Sequence, residues 1–289
     1  MPDMVYTWEA LNQMDQDCTR QVKKALWLIL AANLFVAIIK IITGTVIQSA
    51  SMTADGLHSL TDGSSNIVGL IGIALAAKPT DSNHPYGHRK FELLTSMFIG
   101  GMLLVIAAKI GIGAIERIIS PSIPCFGAEA LLLLAATLIV NIIVCVYENR
   151  KGKELGSFIL ISDSLHTKSD IYVSLGVLLT LTGIKLGAPP IIDPLTSIIV
   201  GGLIVCAGLR IIKSTGDILV DKAAVDHALI EAIAKSFPQV INVHKIRSRG
   251  NAPDLFVDMH IIIDPSTSFE ESHKLVHDIE DKLKLEINA

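Results

Sequence analysis

Two stretches of the chain repeat one arrangement of two acids and a histidine, Asp-x-x-His-x-x-x-Asp. The repeated positions are Asp55, His58 and Asp62 in the first stretch, and Asp163, His166 and Asp170 in the second. In each stretch the histidine and the second aspartate are four residues apart, so on an α-helix they lie on one face. Each stretch therefore predicts an imidazole nitrogen and a carboxylate oxygen directed at one cation.

Two such pairs on facing helices supply two nitrogen and two oxygen ligands, a tetrahedral set of the kind that Zn²⁺ accepts. The predicted ligands are His58, Asp62, His166 and Asp170. Imidazole also suits other transition metals, so Fe²⁺, Co²⁺, Cd²⁺ and Mn²⁺ stay open, whereas a site without thiolates does not favour Cu(I). The alternative is a satisfied polar pair within each helix, and two such pairs inside a bilayer are costly.

Asp55 and Asp163 precede the two histidines by three residues and share their helix faces. We interpret these acids as hydrogen-bond partners of the metal ligands or as proton-relay groups. A capping or structural role is the alternative, and the sequence does not decide between them.

The composition predicts that both stretches lie in a membrane. Of the 289 residues 51% are hydrophobic and 18% are charged, and the mean hydropathy is +0.54. Soluble domains carry about 25% charged residues, so this chain is short of charge. Spans need roughly 20 mostly apolar residues. Six are predicted, at 24–46, 50–77, 92–117, 127–147, 156–184 and 190–212.

The orientation follows from the lysines and arginines, which collect at one set of span ends. These residues are Arg20, Lys23, Lys24, Lys78, Arg89, Lys90, Arg150, Lys151, Lys153, Arg210 and Lys213. We predict a multi-pass protein of the cell's inner (plasma) membrane with both termini in the cytoplasm. At 1.5 Å per residue, Asp62, His166 and Asp170 then lie roughly 15–24 Å above the inner boundary.

Histidine ligands also predict the driving force. An ordinary imidazole has a pKa of about 6.5, and it must be neutral to bind a metal. Metal and protons therefore compete, and the sequence predicts a secondary transporter that exports divalent metal, with Zn²⁺ first, in exchange for protons by alternating access. No phosphate-binding loop for ATP occurs, and a net charge of −4 gives no reason to expect nucleic acid.

Two further polar residues of the spans have simpler interpretations. Asp193 opens the last span as Asp-Pro-Leu-Thr, which is typical of a helix N-cap followed by proline. Lys40 lies near the outer end of the first span, and we expect its ammonium group to extend to the membrane surface.

From about residue 214 the pattern becomes that of a soluble domain, in the order helix, strand, strand, helix. This is most of the αββαβ order of a small ferredoxin-like α+β domain, and we expect its last strand to be absent. The predicted domains are a cytoplasmic N-terminal segment at 1–23, an all-α six-helix transmembrane transport domain at 24–213, and a small cytoplasmic α+β domain at 214–289.

With these motifs the chain resembles the cation diffusion facilitator family of divalent metal/proton antiporters, and the zinc transporters in particular. The resemblance covers nearly the whole chain and is carried by His58-x-x-x-Asp62, His166-x-x-x-Asp170 and the loop DSNHPYGHRKFE. It implies that the four motif residues form the transport site and that the protein works as a homodimer. Some members carry an acid in place of His58 and prefer other metals.

The same resemblance implies a second metal site in the loop between the second and third spans. Asp81, His84 and His88 match that site, and their spacing can gather three ligands where the loop meets a helix. A turn that shapes the cytoplasmic entrance is the alternative. Lys90 and Asp221 match a charge pair that, in the family, links the third span to the tail at the dimer interface; the alternative is a solvated surface pair.

In the tail, His244, His260 and His273 match positions at which family members bind metal in a regulatory role. Solvated or sheet-packed histidines are the alternative. Zn²⁺ is thus expected as cargo, and as a structural or regulatory ion at the loop and tail sites.

Two other classes of protein were considered. A membrane metalloenzyme needs an open metal position and a general base, as in His-Glu-x-x-His, and neither that motif nor Glu-x-x-His occurs in the predicted spans. A metal-sensing receptor is the third class, and no kinase or DNA-binding module accompanies the spans. The sequence therefore favours a transporter, not an enzyme.

Overall fold

The structure is a computed structural model, and it describes residues 8–46, 59–60, 63–119, 128–185, 187–189, 191–251 and 254–287. The chain divides into two compact units, Met1–Thr215 and Gly216–Ala289. The helices of the transmembrane part are α1 (Trp8–Val46), α2 (Ser64–Ala76), α3 (Lys90–Ile119), α4 (Ala128–Leu155), α5 (Phe158–Lys185) and α6 (Ile192–Leu219). The tail contains α7 (His227–Lys235), β1 (Val240–Asn251), β2 (Asp254–Ile263) and α8 (Phe269–Ile287).

Among the described residues, three helices are long and apolar enough to cross a membrane, namely Asp17–Ile42 within α1, the whole of α3 and the whole of α6. The described helix α2 is apolar but has only 13 residues. Helices α4 and α5 have 28 residues each, or about 42 Å at 1.5 Å per residue, but charged residues lower their hydropathy. The predicted fold class, a helical membrane domain followed by a small α+β domain, is confirmed.

The helices of the first unit pack through apolar and small residues. Leu26 and Ile29 of α1 lie in one buried cluster with Ile99 of α3 and Ile159 of α5. Helix α2 approaches α3 at Gly72, where an added Cβ would lie only 2.1 Å from Thr95 Oγ1. Close approach at small residues is typical of membrane helices. The outer faces carry exposed large apolar side chains, among them Phe35, Phe98 and Ile139.

A tight turn joins α4 to α5 and so sets the position of the polar face of α5. Gly156 adopts φ +62°, and the amide of Ser157 donates to the carbonyl oxygen of Gly152 at 2.9 Å. This is the Schellman pattern that ends many helices at glycine. Ser157 then caps α5, because its hydroxyl accepts from the amide of Leu160 at 3.4 Å.

We expect Gly156→Ala to lower the stability of the protein. An added Cβ at Gly156 meets nothing within 4 Å, so the cost is the left-handed backbone alone, about 1–2 kcal/mol. Gly111→Ala is the control: that position is helical and equally open, and alanine favours a helix over glycine by about 1 kcal/mol. Denaturant unfolding in detergent micelles measures both. Equal effects of the two substitutions would contradict this account of the turn.

The spans α3, α5 and α6 are joined by an ion pair that the sequence analysis did not foresee. Arg117 Nη1 lies 2.6 Å from Asp193 Oδ2, and the hydroxyl of Thr180 donates to Asp193 Oδ1 at 3.3 Å. Helix α6 begins at Ile192, so Asp193 lies in its first turn. The N-cap interpretation was wrong: the carboxylate of Asp193 binds neighbouring helices.

The tail folds around one apolar core. Strands β1 and β2 pair antiparallel, with Val243 opposite Ile261 and His244 opposite His260. Helix α8 turns three buried residues at intervals of four towards this sheet, Leu275, Ile279 and Leu283. Ser268 and Glu271 form a capping box at the start of α8, with reciprocal bonds of 3.0 and 3.2 Å. The described sheet has two strands.

Candidate metal sites

Helix α5 carries the second copy of the repeated motif on one face, as predicted. Asp163 and His166 are both buried, and Asp170 is half-buried. The first copy, Asp55, His58 and Asp62, lies outside the described residues. Half of the predicted transport site can therefore be described, and the facing half stays a prediction.

The side chain of His166 is 3% exposed. Neither of its ring nitrogens has a hydrogen-bond partner among the described residues. A buried polar group without a partner is costly, by roughly 1–3 kcal/mol, and protein interiors rarely leave one. A nitrogen lone pair in this setting is ready to bind a cation, which is the role predicted from the sequence.

Asp163 is held by a chain of amides from two other spans. Asn66 Nδ2 of α2 donates to Asp163 Oδ2, and Asn33 Nδ2 of α1 donates to Asn66 Oδ1 at 2.9 Å. Because an ionised carboxylate only accepts, Asn66 must present its NH₂ group to Asp163 and its oxygen to Asn33. Asp163 Oδ1 has no hydrogen-bond partner in the part of the chain that is described.

A second buried acid, Glu148 of α4, was missed by the sequence analysis. The side chain of Glu148 is 0% exposed, and Asp163 and Asp170 are its charged neighbours. Neither carboxylate oxygen of Glu148 has a hydrogen-bond partner within the described ranges. The hydroxyl of Thr167 lies near Glu148 and donates to the backbone carbonyl oxygen of Asp163 at 3.2 Å. Helices α4 and α5 thus enclose acidic oxygens beside His166.

Glu148 was missed because the fourth span was predicted to end at 147, where the charged sequence ENRKGKE begins. Helix α4 continues to Leu155, so Glu148 lies two turns before its end. Glu148 lies three residues after Cys145 and so on the same face of α4, and Cys145 Sγ donates to the carbonyl oxygen of Ser164 on α5 at 3.4 Å. The sequence alone carries no signal of this contact.

Lys40 of α1 is buried, contrary to the expectation that its ammonium group extends to the surface. Its Nζ donates to the hydroxyl of Ser59 at 2.9 Å. The expectation failed because the helix turns Lys40 inwards, which hydropathy alone does not show.

The loop residues Asp81, His84 and His88 come together as predicted. Their ligand atoms all lie within 4.8 Å of one another, and in the described part of the chain no other group of three such residues does so. Asp81 Oδ1 is 3.1 Å from His84 Nδ1, and Asp81 Oδ2 is 3.5 Å from His88 Nε2. The two imidazole centroids are 4.2 Å apart. Metal binding here stays a prediction.

The tautomer of His88 suits a metal ligand. His88 is 7% exposed, and its Nδ1 lies 3.0 Å from the carbonyl oxygen of Pro79. Since a carbonyl oxygen only accepts, Nδ1 carries the hydrogen, and neutral His88 directs the lone pair of Nε2 at Asp81. Two lone pairs then face each other across 3.5 Å. A cation between them relieves that repulsion, and a backbone acceptor on the other nitrogen is the usual support of a metal-bound histidine.

The Asp81 carboxylate is prepared for the same role. The backbone amide of His84 donates to it, and the amide of Asn83 also donates, which together lower the pKa of Asp81 below its ordinary 3.8. A lowered pKa means that the carboxylate keeps its charge, and its turn-forming bonds, until the pH falls below that ordinary value.

We expect His88→Ala to weaken zinc binding at the loop by about 100-fold, because about 10–16 kcal/mol shared over four coordination positions, the fourth being water, gives about 3 kcal/mol for each. We also expect the loop turn to persist at pH 5, because Asp81, whose pKa lies below its ordinary 3.8, stays charged there. Calorimetric titration of the full chain with zinc measures the affinity. His227→Ala, an exposed histidine of the tail, is the control. Unchanged affinity in His88→Ala would contradict the site.

The predicted tail histidines are only partly brought together. His244 and His260 are register partners on β1 and β2, with ring centroids 5.3 Å apart. His273 of α8 lies instead beside His277, with 3.3 Å between their Nε2 atoms. The tail set therefore contains a pair on the sheet and a pair on the helix, and His277 is an addition that the sequence analysis did not name. Their metal binding stays a prediction.

The charge pair predicted between Lys90 and Asp221 has one member in each unit and stays a prediction. Within the tail unit, Arg249 Nη1 lies 3.6 Å from Asp221 Oδ2. Asp221 adopts φ 55°, a left-handed conformation that aspartate tolerates better than most residues.

Long apolar helices enclosing a buried histidine and acids, followed by a small α+β domain, define a membrane carrier for metal cations. Residues 26–220 match the family described as "Cation efflux transmembrane domain", and residues 223–289 match "Cation efflux protein, cytoplasmic domain". The chain belongs to the cation efflux family, that is, to the cation diffusion facilitators. Its members are transporters and not enzymes, so this protein is a membrane transporter of divalent metal cations.

Its relatives support the family assignment over most of the chain. An uncharacterized transporter of Methanocaldococcus jannaschii is 35% identical over 92% of this chain and 94% of its own length. The manganese efflux system protein MneP of Bacillus subtilis is 30% identical over 91% of both chains. A probable cation efflux system protein of Mycobacterium tuberculosis is 33% identical over 86% of this chain and 74% of its own.

Proposed function

We propose that this protein exports Zn²⁺ from the cytoplasm in exchange for protons, with His58, Asp62, His166 and Asp170 as the ligands of the transported ion. The observation that supports this most is His166, which is buried and uses neither ring nitrogen for the described fold. A histidine that only stabilised the fold would be expected to donate at least one hydrogen bond.

The four proposed ligands favour zinc, whereas the neighbouring acids and two relatives of the protein favour Mn²⁺. Two imidazoles and two carboxylates are a usual tetrahedral zinc set. Mn²⁺ is the second candidate, because the carboxylates of Glu148 and Asp163 beside His166 are the harder oxygen ligands that Mn²⁺ prefers. Two relatives from Bacillus subtilis, MneP and MneS, carry the name manganese efflux system protein.

Proton exchange is proposed from the same imidazoles. Histidine changes charge between pH 5 and 8 and binds metal only when neutral. A site that faces the cytoplasm loses protons and loads metal; the same site facing a more acidic outside takes up protons and releases it. Alternating access of this kind uses the proton gradient as its energy source.

We further propose that the protein works as a homodimer in the cell's inner (plasma) membrane, with both termini in the cytoplasm. Residues 223–289 match the family's cytoplasmic domain, which supports the orientation. The same domain is the family's dimerisation domain, which supports the dimer. Mass photometry of the full chain in nanodiscs tests the dimer, and a single species at the mass of one chain contradicts it.

Zinc flux into proteoliposomes tests the whole proposal. The liposomes contain a zinc-sensitive dye, and a pH gradient is imposed across the membrane. Flux that follows the gradient in wild type and is lost in Asp170→Ala supports the exchange mechanism. Flux that ignores the gradient contradicts proton coupling, and flux that persists in Asp170→Ala contradicts the site. The same assay with Mn²⁺, Fe²⁺, Co²⁺ and Cd²⁺ ranks the cargo, with Glu116→Ala of exposed α3 surface as the control.

A further inference from the structure

Helices α4 and α5 enclose more carboxylate oxygens than the proposed transport site uses. Glu148 is 0% exposed and Asp163 is 1% exposed. Three of their four carboxylate oxygens have no hydrogen-bond partner among the described residues, and no described lysine or arginine forms an ion pair with either acid. Buried charges are normally paired or bound to a metal. Two buried acids near each other are stabilised either by taking up a proton or by binding a cation, so a cation can compete with protons for this pair.

The carboxylate of Asp163 is held in a fixed orientation. Asn66 occupies Oδ2, and Asn33 in turn fixes the amide of Asn66. Oδ1 is thus left unbonded while three helices hold the side chain, and the charge of Glu148 is its neighbour from α4. Pre-organised oxygens of this kind lower the cost of binding an ion, because the ligands need not be ordered at that moment.

These two side chains do not form a complete coordination shell. Among the described residues only the loop group has three ligand atoms within 4.8 Å of one another. The other positions around an ion bound by Glu148 and Asp163 must therefore be filled by water or by backbone and amide oxygens. Hard divalent cations bind in that way, through one or two carboxylates and retained water.

We propose that Glu148 and Asp163 form a second, oxygen-only binding site for a partly hydrated hard divalent cation of the Mn²⁺ type, adjacent to the transport site. Along α5, Asp163 lies about 8 Å from the helix start at Phe158, His166 about 12 Å and Asp170 about 18 Å, at 1.5 Å per residue. An ion that approaches from the α4–α5 turn reaches the acidic pair first. The role of this site on the export route rests on the proposed function. Its binding of a cation does not depend on that function.

Mn²⁺ titration followed by electron paramagnetic resonance tests the site on the full chain in nanodiscs. The protein carries His88→Ala to remove the loop site, and one zinc equivalent occupies the nitrogen-containing transport site first. We expect the parent protein to bind one Mn²⁺ per chain, and Glu148→Gln and Asp163→Asn each to weaken that binding at least tenfold. Glu154→Gln, a more exposed acid of the same helix, is the control and should bind as the parent does. Unchanged Mn²⁺ binding in Glu148→Gln overturns the proposal.

A measurement on the parent protein does not depend on how the variants fold. Electron spin-echo modulation of the bound Mn²⁺ should show no ¹⁴N coupling from imidazole, because the proposed ligands are oxygens. A ¹⁴N coupling overturns the oxygen-only site. Zinc flux on the same preparations separates the two proposals. Absent flux in the parent protein, with Mn²⁺ binding lost in Glu148→Gln, contradicts only the transport function. Normal flux in the parent protein, with unchanged Mn²⁺ binding in Glu148→Gln, contradicts only the acidic site.

Discussion

His166→Leu is expected to abolish zinc transport and, at the same time, to stabilise the fold. The substitution removes one of four proposed ligands, worth about 3 kcal/mol or about 100-fold in affinity if a zinc site's roughly 10–16 kcal/mol is shared equally. It also replaces a buried imidazole whose ring nitrogens lack partners in the described structure by an apolar side chain. Removing an unsatisfied buried polar group is stabilising by about 1 kcal/mol or more.

The loss of transport and the gain of stability have opposite signs, so a ligand can be distinguished from a structural residue. Proteoliposome flux measures the first effect, and thermal unfolding of metal-free protein measures the second. A histidine with a structural role would lose both flux and stability on substitution. Retained flux in His166→Leu contradicts the proposed ligand, and a lower unfolding temperature contradicts the absence of a structural partner. His227→Leu, at an exposed tail position, should change neither.

Combining Asp170→Asn with His166→Leu tests whether the two residues act together as ligands of one ion or have separate roles. The asparagine keeps the size of the side chain and removes the charge that neutralises the ion. We expect a loss of flux comparable to that in His166→Leu, and no larger loss in the double variant, because residues that act as one unit are not additive. Two losses that multiply would indicate separate roles.

The sequence predicted the fold class and the polar face of α5 because both depend on local periodicity. Apolar runs of about 20 residues predict spans, and a spacing of three and four residues places Asp163, His166 and Asp170 on one face. The loop residues were also predicted, because the motif that carries them is short.

The contacts between helices were not predictable in the same way. Asn66 looks like an ordinary polar residue of an apolar helix until its amide is seen between Asn33 and Asp163. Glu148 was assigned to the membrane boundary because basic residues follow it, although α4 continues and buries it. Both depend on which faces of separate helices meet, and one chain's periodicity does not contain that information.

Glu92→Ala is expected to destabilise the transmembrane unit strongly, and this residue was seen in the sequence only as part of a loop motif. Glu92 Oε1 of α3 accepts from the hydroxyl of Ser157 at 2.5 Å and from the backbone amide of Ile159 at 3.3 Å. A carboxylate from one helix therefore caps the first turn of another, where the helix dipole also favours negative charge.

The alanine variant leaves a hydroxyl and an amide at the start of α5 without their acceptor. Hydrogen bonds to a charged group contribute about 1.5–3 kcal/mol, so we expect a loss of about 2–3 kcal/mol in the free energy of unfolding. Glu92→Gln keeps an accepting oxygen and should lose about half as much. Because this cap positions the helix that carries His166, zinc flux should fall with stability. Denaturant unfolding in micelles and proteoliposome flux measure both effects, with Glu116→Ala on the same helix as the control.

A double-mutant cycle with Ser157→Ala decides whether the cap carries the effect. Ser157 both donates to Glu92 and accepts from the amide of Leu160, so its loss removes part of the same network. Contacting residues of one network show coupling energies of about 0.5–3 kcal/mol, and we expect about 1–2 kcal/mol here. A coupling near zero would mean that Glu92 stabilises α3 and α5 separately, and that the position of the metal-binding face of α5 is set by apolar packing around Ile159.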